Sequence, residues 1–150
     1  MWFLVLVARW RRPGVRRTSA ARAVVVTGAV VPLCNAVLKR AFRRARPERP
    51  APVPGLRRPT SASFPSGHSL AAWCAADLLA DGDHWGPAYY ALAAAVSISR
   101  LQVRHHHATD VVAGSALGLV IGRTARRLFP LRRSPSGAGF GRRPVGNGPR

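Results

Sequence analysis

Negative charge is what this sequence has least of. Only five of its 150 residues are Asp or Glu, against 24 Lys or Arg, and the formal net charge is +19. Such an imbalance favours an anionic partner, whether nucleic acid, anionic lipid or a phosphorylated substrate, without choosing among them. Lysine is almost absent too: 23 of the 24 cations are Arg, and Lys39 stands alone. The two cysteines, Cys34 and Cys74, lie in apolar segments with no Cys or His at metal spacing. Neither a disulfide framework nor a zinc site is suggested. A full-length apolar span is also missing, since the longest runs hold only 12 to 19 residues, under the roughly 20 of a membrane-crossing helix. What the chain does have is an apolar content of 47%. That is enough for a core or several spans, and it argues against a disordered basic protein.

Met1 to Ala8 is wholly apolar and ends at Arg9, Arg11 and Arg12. A signal peptide carries its charges before the apolar run, so this is not one. The segment reads as the last part of a transmembrane helix, as if the chain began inside one, with a short surface anchor as the alternative. Further runs follow at 20–38, 69–80, 86–98 and 111–122. The last carries Gly114, Gly118 and Gly122 at four-residue spacing, the pattern that lets membrane helices approach closely. The expected fold is all-α, a transmembrane helical bundle of four spans plus a partial N-terminal helix. A compact soluble helical bundle is the alternative. Residues 1–128 form one N-terminally incomplete membrane-embedded domain, and 129–150 form a disordered basic tail.

If the four runs all span, 9–22 and 123–150, with six and eight Arg, share the cytoplasmic side by the positive-inside rule. The connection 39–67 then lies on the opposite side, yet it holds eight cations of its own. That conflict eases if some of them hold an anion.

Three polar clusters fall on that second side. Lys39 to Pro47 (KRAFRRARP) is by itself a solvated or headgroup-facing charge run as readily as a site. In Pro65-Ser66-Gly67-His68, Ser66 can cap the next helix. Gly67 lets an anion approach the backbone, and the free N–H groups can cradle phosphate. A plain loop-to-helix cap is the competing reading. In Ser99 to Asp110 (SRLQVRHHHATD), His106 and Asp110 are four apart and share a face on a helical turn. A carboxylate there could fix the imidazole tautomer. Adjacent His105, His106 and His107 would point in different directions on a helix, which disfavours a metal site. His105 and His107 read as flanking residues.

Lys39-x6-Arg46-Pro47, Pro65-Ser66-Gly67-His68 and Ser99-Arg100-x5-His106-x3-Asp110 together closely resemble the three-part signature of the type 2 phosphatidic acid phosphatase superfamily, which also includes vanadium haloperoxidases. The resemblance implies a metal-independent membrane phosphatase without cofactor or nucleic-acid partner, acting on a lipid phosphate or prenyl diphosphate at the extracytoplasmic surface. It implies His106 as nucleophile oriented by Asp110, and His68 as proton donor to the leaving group. Lys39, Arg46, Ser66, Gly67 and Arg100 would bind the phosphoryl oxygens. Integral members typically have six transmembrane helices, so one helix and part of another would be missing, and the seam so exposed could favour homo-oligomers. The rival readings are a vanadium-dependent haloperoxidase-like enzyme and a non-catalytic basic membrane protein that binds anionic lipid.

Overall fold

Pro32 interrupts an apolar run, yet the backbone carries that run as one continuous helix. The computed structural model describes residues 15–48 and 60–131. Helix α1 (Val15–Val25) passes into a π-helical turn (Val26–Val30) and then into α2 (Val31–Phe42). Proline lacks an N–H and its ring crowds the carbonyl four residues back, so a regular α-turn would fail there. The wider turn absorbs the misfit, because the Val31 N–H donates to the Val26 carbonyl five residues back. Thr18–Phe42 thus forms 25 helical residues, about 37 Å at the α-helical rise. It is long and apolar enough to cross a membrane.

Helices α3 (Gly67–Ala80), α4 (Gly86–Gln102) and α5 (Ala108–Leu128) follow. Among the described residues there is no strand, so the fold is all-α as expected. Each of the later apolar runs lies inside one of these helices. Their lengths do not by themselves give four spans: α3 has 14 residues, about 21 Å, short of the ~30 Å hydrocarbon core. The apolarity of α3 has a different cause. It is the hub of the bundle, packed along α5 and α4 and touching α1, with Leu70, Cys74, Leu78 and Leu79 all fully buried. A helix buried on every side is apolar on every side.

The glycine repeat belongs to the α3–α5 seam. A Cβ on Gly114 would meet the Ser66 carbonyl, one on Gly118 the Leu70 carbonyl, and one on Gly122 would stand 2.9 Å from the Asp77 Cβ. Without side chains at these positions the two backbones pack closely. Outward faces are apolar as well: Val25 is 64% exposed, and Leu33 and Val112 are each 68% exposed. Patches of that kind suit contact with hydrocarbon better than with water. The partial helix expected at Met1 to Ala8 lies outside the described residues, as do Arg49, Arg57, Arg58 and residues 132–150 of the expected tail.

Candidate active site

Two non-glycine residues in left-handed conformation bring the three clusters together. Arg43 (φ 41°) ends α2, and the chain turns back so that the Ser63 N–H donates to the Arg44 carbonyl at 2.8 Å and the Ser63 hydroxyl to the Ala45 carbonyl at 2.9 Å. Arg104 (φ 48°) follows α4, and α5 restarts at Ala108. A bond of 2.9 Å from the Ser66 N–H to the Asp110 carbonyl ties the second cluster to the third.

His106 lies in the loop before α5, not on a helical turn, so the expected face shared with Asp110 does not arise. The Asp110 Oδ2 is 3.9 Å from His106 Nδ1, an electrostatic neighbour beyond hydrogen-bond reach. Instead Nδ1 lies 2.7 Å from the Ser63 carbonyl. A carbonyl only accepts, so Nδ1 carries the proton and Nε2 keeps its lone pair. That lone pair faces Arg46 Nη1 at 3.5 Å. Burial, followed in effect by the Arg46 and Lys39 charges, pushes the His106 pKa down from 6.5 to about 4, against the opposing pull of the Ser63 carbonyl and Asp110. The imidazole is neutral at pH 7.

Arg46 is clamped by backbone. It donates to the Ser61 carbonyl at 3.0 Å, the His105 carbonyl at 2.7 Å and the Ala62 carbonyl at 3.4 Å. Lys39 Nζ donates to the Ser61 hydroxyl at 3.0 Å. Both cations are therefore positioned before any anion arrives.

Asp110 is fully buried, and its carboxylate organises the loop. It accepts from Arg44 Nη1 at 3.0 Å and from the His107 N–H at 2.8 Å, and His107 and Asp110 cap α5 reciprocally. Arg44 also bonds the Thr109 hydroxyl at 2.7 Å. Sequence reasoning counted Arg44 only as one charge in a run. Its place two residues before Arg46 was the available signal. The histidines read as bystanders also have work, because His107 caps α5 while the His105 carbonyl holds Arg46 and its side chain lines the cavity described next.

A cavity of about 420 Å³ is lined by Lys39, Arg46, Gly67, His68, His105 and His106 among others. Five of the eight expected site residues are thus at one wall or its edge. Ser66 is not among the lining residues: it is fully buried, and its hydroxyl caps α3, accepting from the Ser69 N–H at 3.4 Å and the Ser69 hydroxyl at 3.0 Å. Arg100 turns its guanidinium onto the Ser99 hydroxyl, at 3.0 and 3.1 Å. Gly67 packs against the end of the Asn35 side chain, where a Cβ would stand 2.6 Å from the amide nitrogen unless that amide moved aside. Asn35, on α2 and in the same cavity, was not singled out in the sequence. A second basic cavity of about 600 Å³ shares Lys39, Arg46 and Ser61 with the first and adds Arg40, Arg43 and Arg44. All five described cations of 39–46 therefore line one or both of these adjoining cavities.

A family model described as PAP2 superfamily matches residues 20–134. Among curated relatives, the decaprenylphosphoryl-5-phosphoribose phosphatase of Mycobacterium tuberculosis (strain H37Rv) is 38% identical over 101 residues, covering 66% of this chain and 56% of its own length. The protein of that name in Mycolicibacterium smegmatis is 40% identical over 78 residues, 52% of this chain and 43% of the relative. The crystal structure of the first transmembrane PAP2 type phosphatidylglycerolphosphate phosphatase from Bacillus subtilis superposes with a TM-score of 0.59 at 30% identity, covering 73% of this chain and 58% of that one. The chain spans about half the length of the curated relatives it matches.

Proposed function

The chain belongs to the PAP2 superfamily, and we propose that it is a membrane phosphatase that hydrolyses the phosphate of a lipid through a phosphohistidine intermediate. The observation that carries this reading is the neutral His106, its Nε2 lone pair turned toward the clamped Arg46 in a cavity that His68 also lines. A phosphoryl group seated between Arg46 and Lys39 would meet that lone pair. Nε2 attacks phosphorus, the P–N bond forms and the P–O ester bond breaks. His68 gives its proton to the departing alkoxide oxygen. It then takes a proton from the water that attacks the phosphohistidine; the new P–O bond forms as the P–N bond breaks, its electron pair returns to His106 Nε2, and inorganic phosphate leaves.

Charge on the phosphoryl oxygens is met by guanidinium and ammonium groups the chain itself supplies, held in place beforehand, which is where electrostatic catalysis is strongest. Arg100 would join them if its guanidinium left Ser99, and Gly67, which lines the same cavity at the start of α3, would add a helix N-terminal N–H. The relatives named above take their names from a prenyl-linked phosphoribose and a glycerolipid phosphate, so a phosphomonoester on a lipid is the favoured substrate class, with a prenyl diphosphate second. The same reading places the later helices in the membrane as spans, the site on the extracytoplasmic side and the C-terminal end in the cytoplasm.

Phosphate release from phosphatidic acid, phosphatidylglycerolphosphate and undecaprenyl diphosphate by the detergent-purified chain, with chelator present, tests this. Activity on at least one is expected, lost to background in His106→Ala and reduced by about 10²–10⁴ in His68→Ala. Full activity in His106→Ala sinks the mechanism, and inertness on every lipid phosphate sinks the function.

A further inference from the structure

The end of the bundle remote from His106 has its own polar construction. Arg22 of α1 is 9% exposed and donates to the Leu78 carbonyl at 3.2 Å, the Phe129 carbonyl at 2.8 Å and Asp81 Oδ2 at 2.7 Å. Arg126 of α5 meets the other Asp81 oxygen at 3.3 Å and Asp77 Oδ1 at 3.5 Å. Tyr90 donates to that same Asp77 oxygen at 2.8 Å. Both Asp81 oxygens are thus engaged, and the network locks α1, α3, α4 and α5 together. The remaining acid nearby, Asp83, accepts from the Tyr89 hydroxyl at 3.0 Å.

Beside this network a cavity of about 440 Å³ is lined by Asp81, Arg123, Arg126 and Arg127, with Pro130 and Leu131 on one wall. Its nearest edge is about 20 Å along α5 from Asp110. Arg123 and Arg127 are exposed, and among the described residues neither is paired with a carboxylate. Three guanidinium groups therefore face a space whose one carboxylate is already shared by two arginines. Such a group of planar forks suits phosphate oxygens. The wall at Pro130 and Leu131 also borders a second cavity, of about 370 Å³, against Val25, Val26 and Phe129. A basic recess thus adjoins an apolar one, on a helix long and apolar enough to cross a membrane.

We propose that these adjoining recesses hold one anionic phospholipid, with its phosphate on Arg123 and Arg127, Arg126 as the fixed wall, and the start of an acyl chain against Val25, Val26 and Phe129. A free anion would use only the first recess. A zwitterionic lipid would bring a cation to a basic wall. The lipid would bridge α1 to the end of α5 and so stabilise the contact that Arg22 makes there.

The test is thermal unfolding of the full chain in neutral detergent, titrated with phosphatidylglycerol, phosphatidylcholine, glycerol 3-phosphate or inorganic phosphate. Phosphatidylglycerol is expected to raise Tm by several degrees and the other three to do little. In Arg123→Gln/Arg127→Gln most of that rise is lost, while phosphate release from a short-chain substrate without added lipid is unchanged. An equal rise in the double variant overturns the proposal. So does an equal rise with glycerol 3-phosphate or inorganic phosphate, which would make this a free-anion site. Should the double variant not fold, native mass spectrometry of the unaltered chain decides: selective retention of phosphatidylglycerol over phosphatidylcholine supports the site, and equal retention refutes it.

Discussion

Ser63 and Arg44 are the residues that give His106 and Asp110 their chemistry, and neither stands out in the sequence. Ser63 contributes a carbonyl, which fixes the His106 tautomer at 2.7 Å. Because burial holds His106 neutral down to about pH 4, protonation would block the proposed nucleophile only below that point. The acid limb of kcat/KM attributable to His106 should therefore fall near pH 4 and not near 6.5, as read from a pH–rate profile on a soluble substrate. Arg44 holds the buried Asp110 carboxylate. Its side chain is 42% exposed, so water replaces part of what Arg44→Ala removes. The expected loss is about 1–3 kcal/mol, less than for a fully buried pair. Thermal unfolding should show that destabilisation, and kcat should fall because the loop bearing His106 loosens.

At the scale of elements, the α3–α5 seam joins the helix that starts beside the cavity at Gly67 to the helix that starts just after His106. Gly118 sits against the Leu70 carbonyl, with the Cys74 nitrogen 3.0 Å from where a Cβ would be. Backbone atoms cannot rotate aside, so Gly118→Ala must push the helices apart, at about 1–3 kcal/mol. A lower melting temperature in detergent and reduced phosphate release are expected together. The π-helical turn before Pro32 serves the same end from the other side, because it keeps α1 and α2 continuous and so sets Asn35 against Gly67 and Lys39 over the cavity.

Over the whole molecule, charge is divided between two ends. One end gathers Lys39, Arg40, Arg43, Arg44 and Arg46 around the cavities near His106. The other gathers Arg22, Arg123, Arg126 and Arg127 around Asp77 and Asp81. Positive charge at both ends leaves the positive-inside rule little to act on in the described residues. The proposed orientation is tested by single cysteines replacing Arg40 and Trp85 in a chain whose Cys34 and Cys74 have been changed to Ser. A membrane-impermeant maleimide should label Arg40→Cys from outside intact cells and Trp85→Cys only in inverted vesicles. The reverse pattern would turn the site toward the cytoplasm.

The sequence by itself determined the helical class and the family, through three short motifs. Lys39, Arg46, Gly67, His68 and His106 line one cavity, and each belongs to a short motif whose residue types and spacing are legible locally. The tertiary structure decided which groups act on which. It seated His106 on the Ser63 carbonyl rather than on Asp110, gave Asp110 to Arg44 and His107, closed Ser66 into a helix cap, and fitted Gly67 against Asn35. It also showed the 69–80 run to be apolar as the hub of the bundle. The Ser66 cap and the His107–Asp110 pair are local and three residues apart, but Ser63 with His106, Arg44 with Asp110 and Asn35 with Gly67 are far apart in the chain, and a backbone carbonyl carries no residue-specific signal. Only the path of the folded chain brings them within bonding distance.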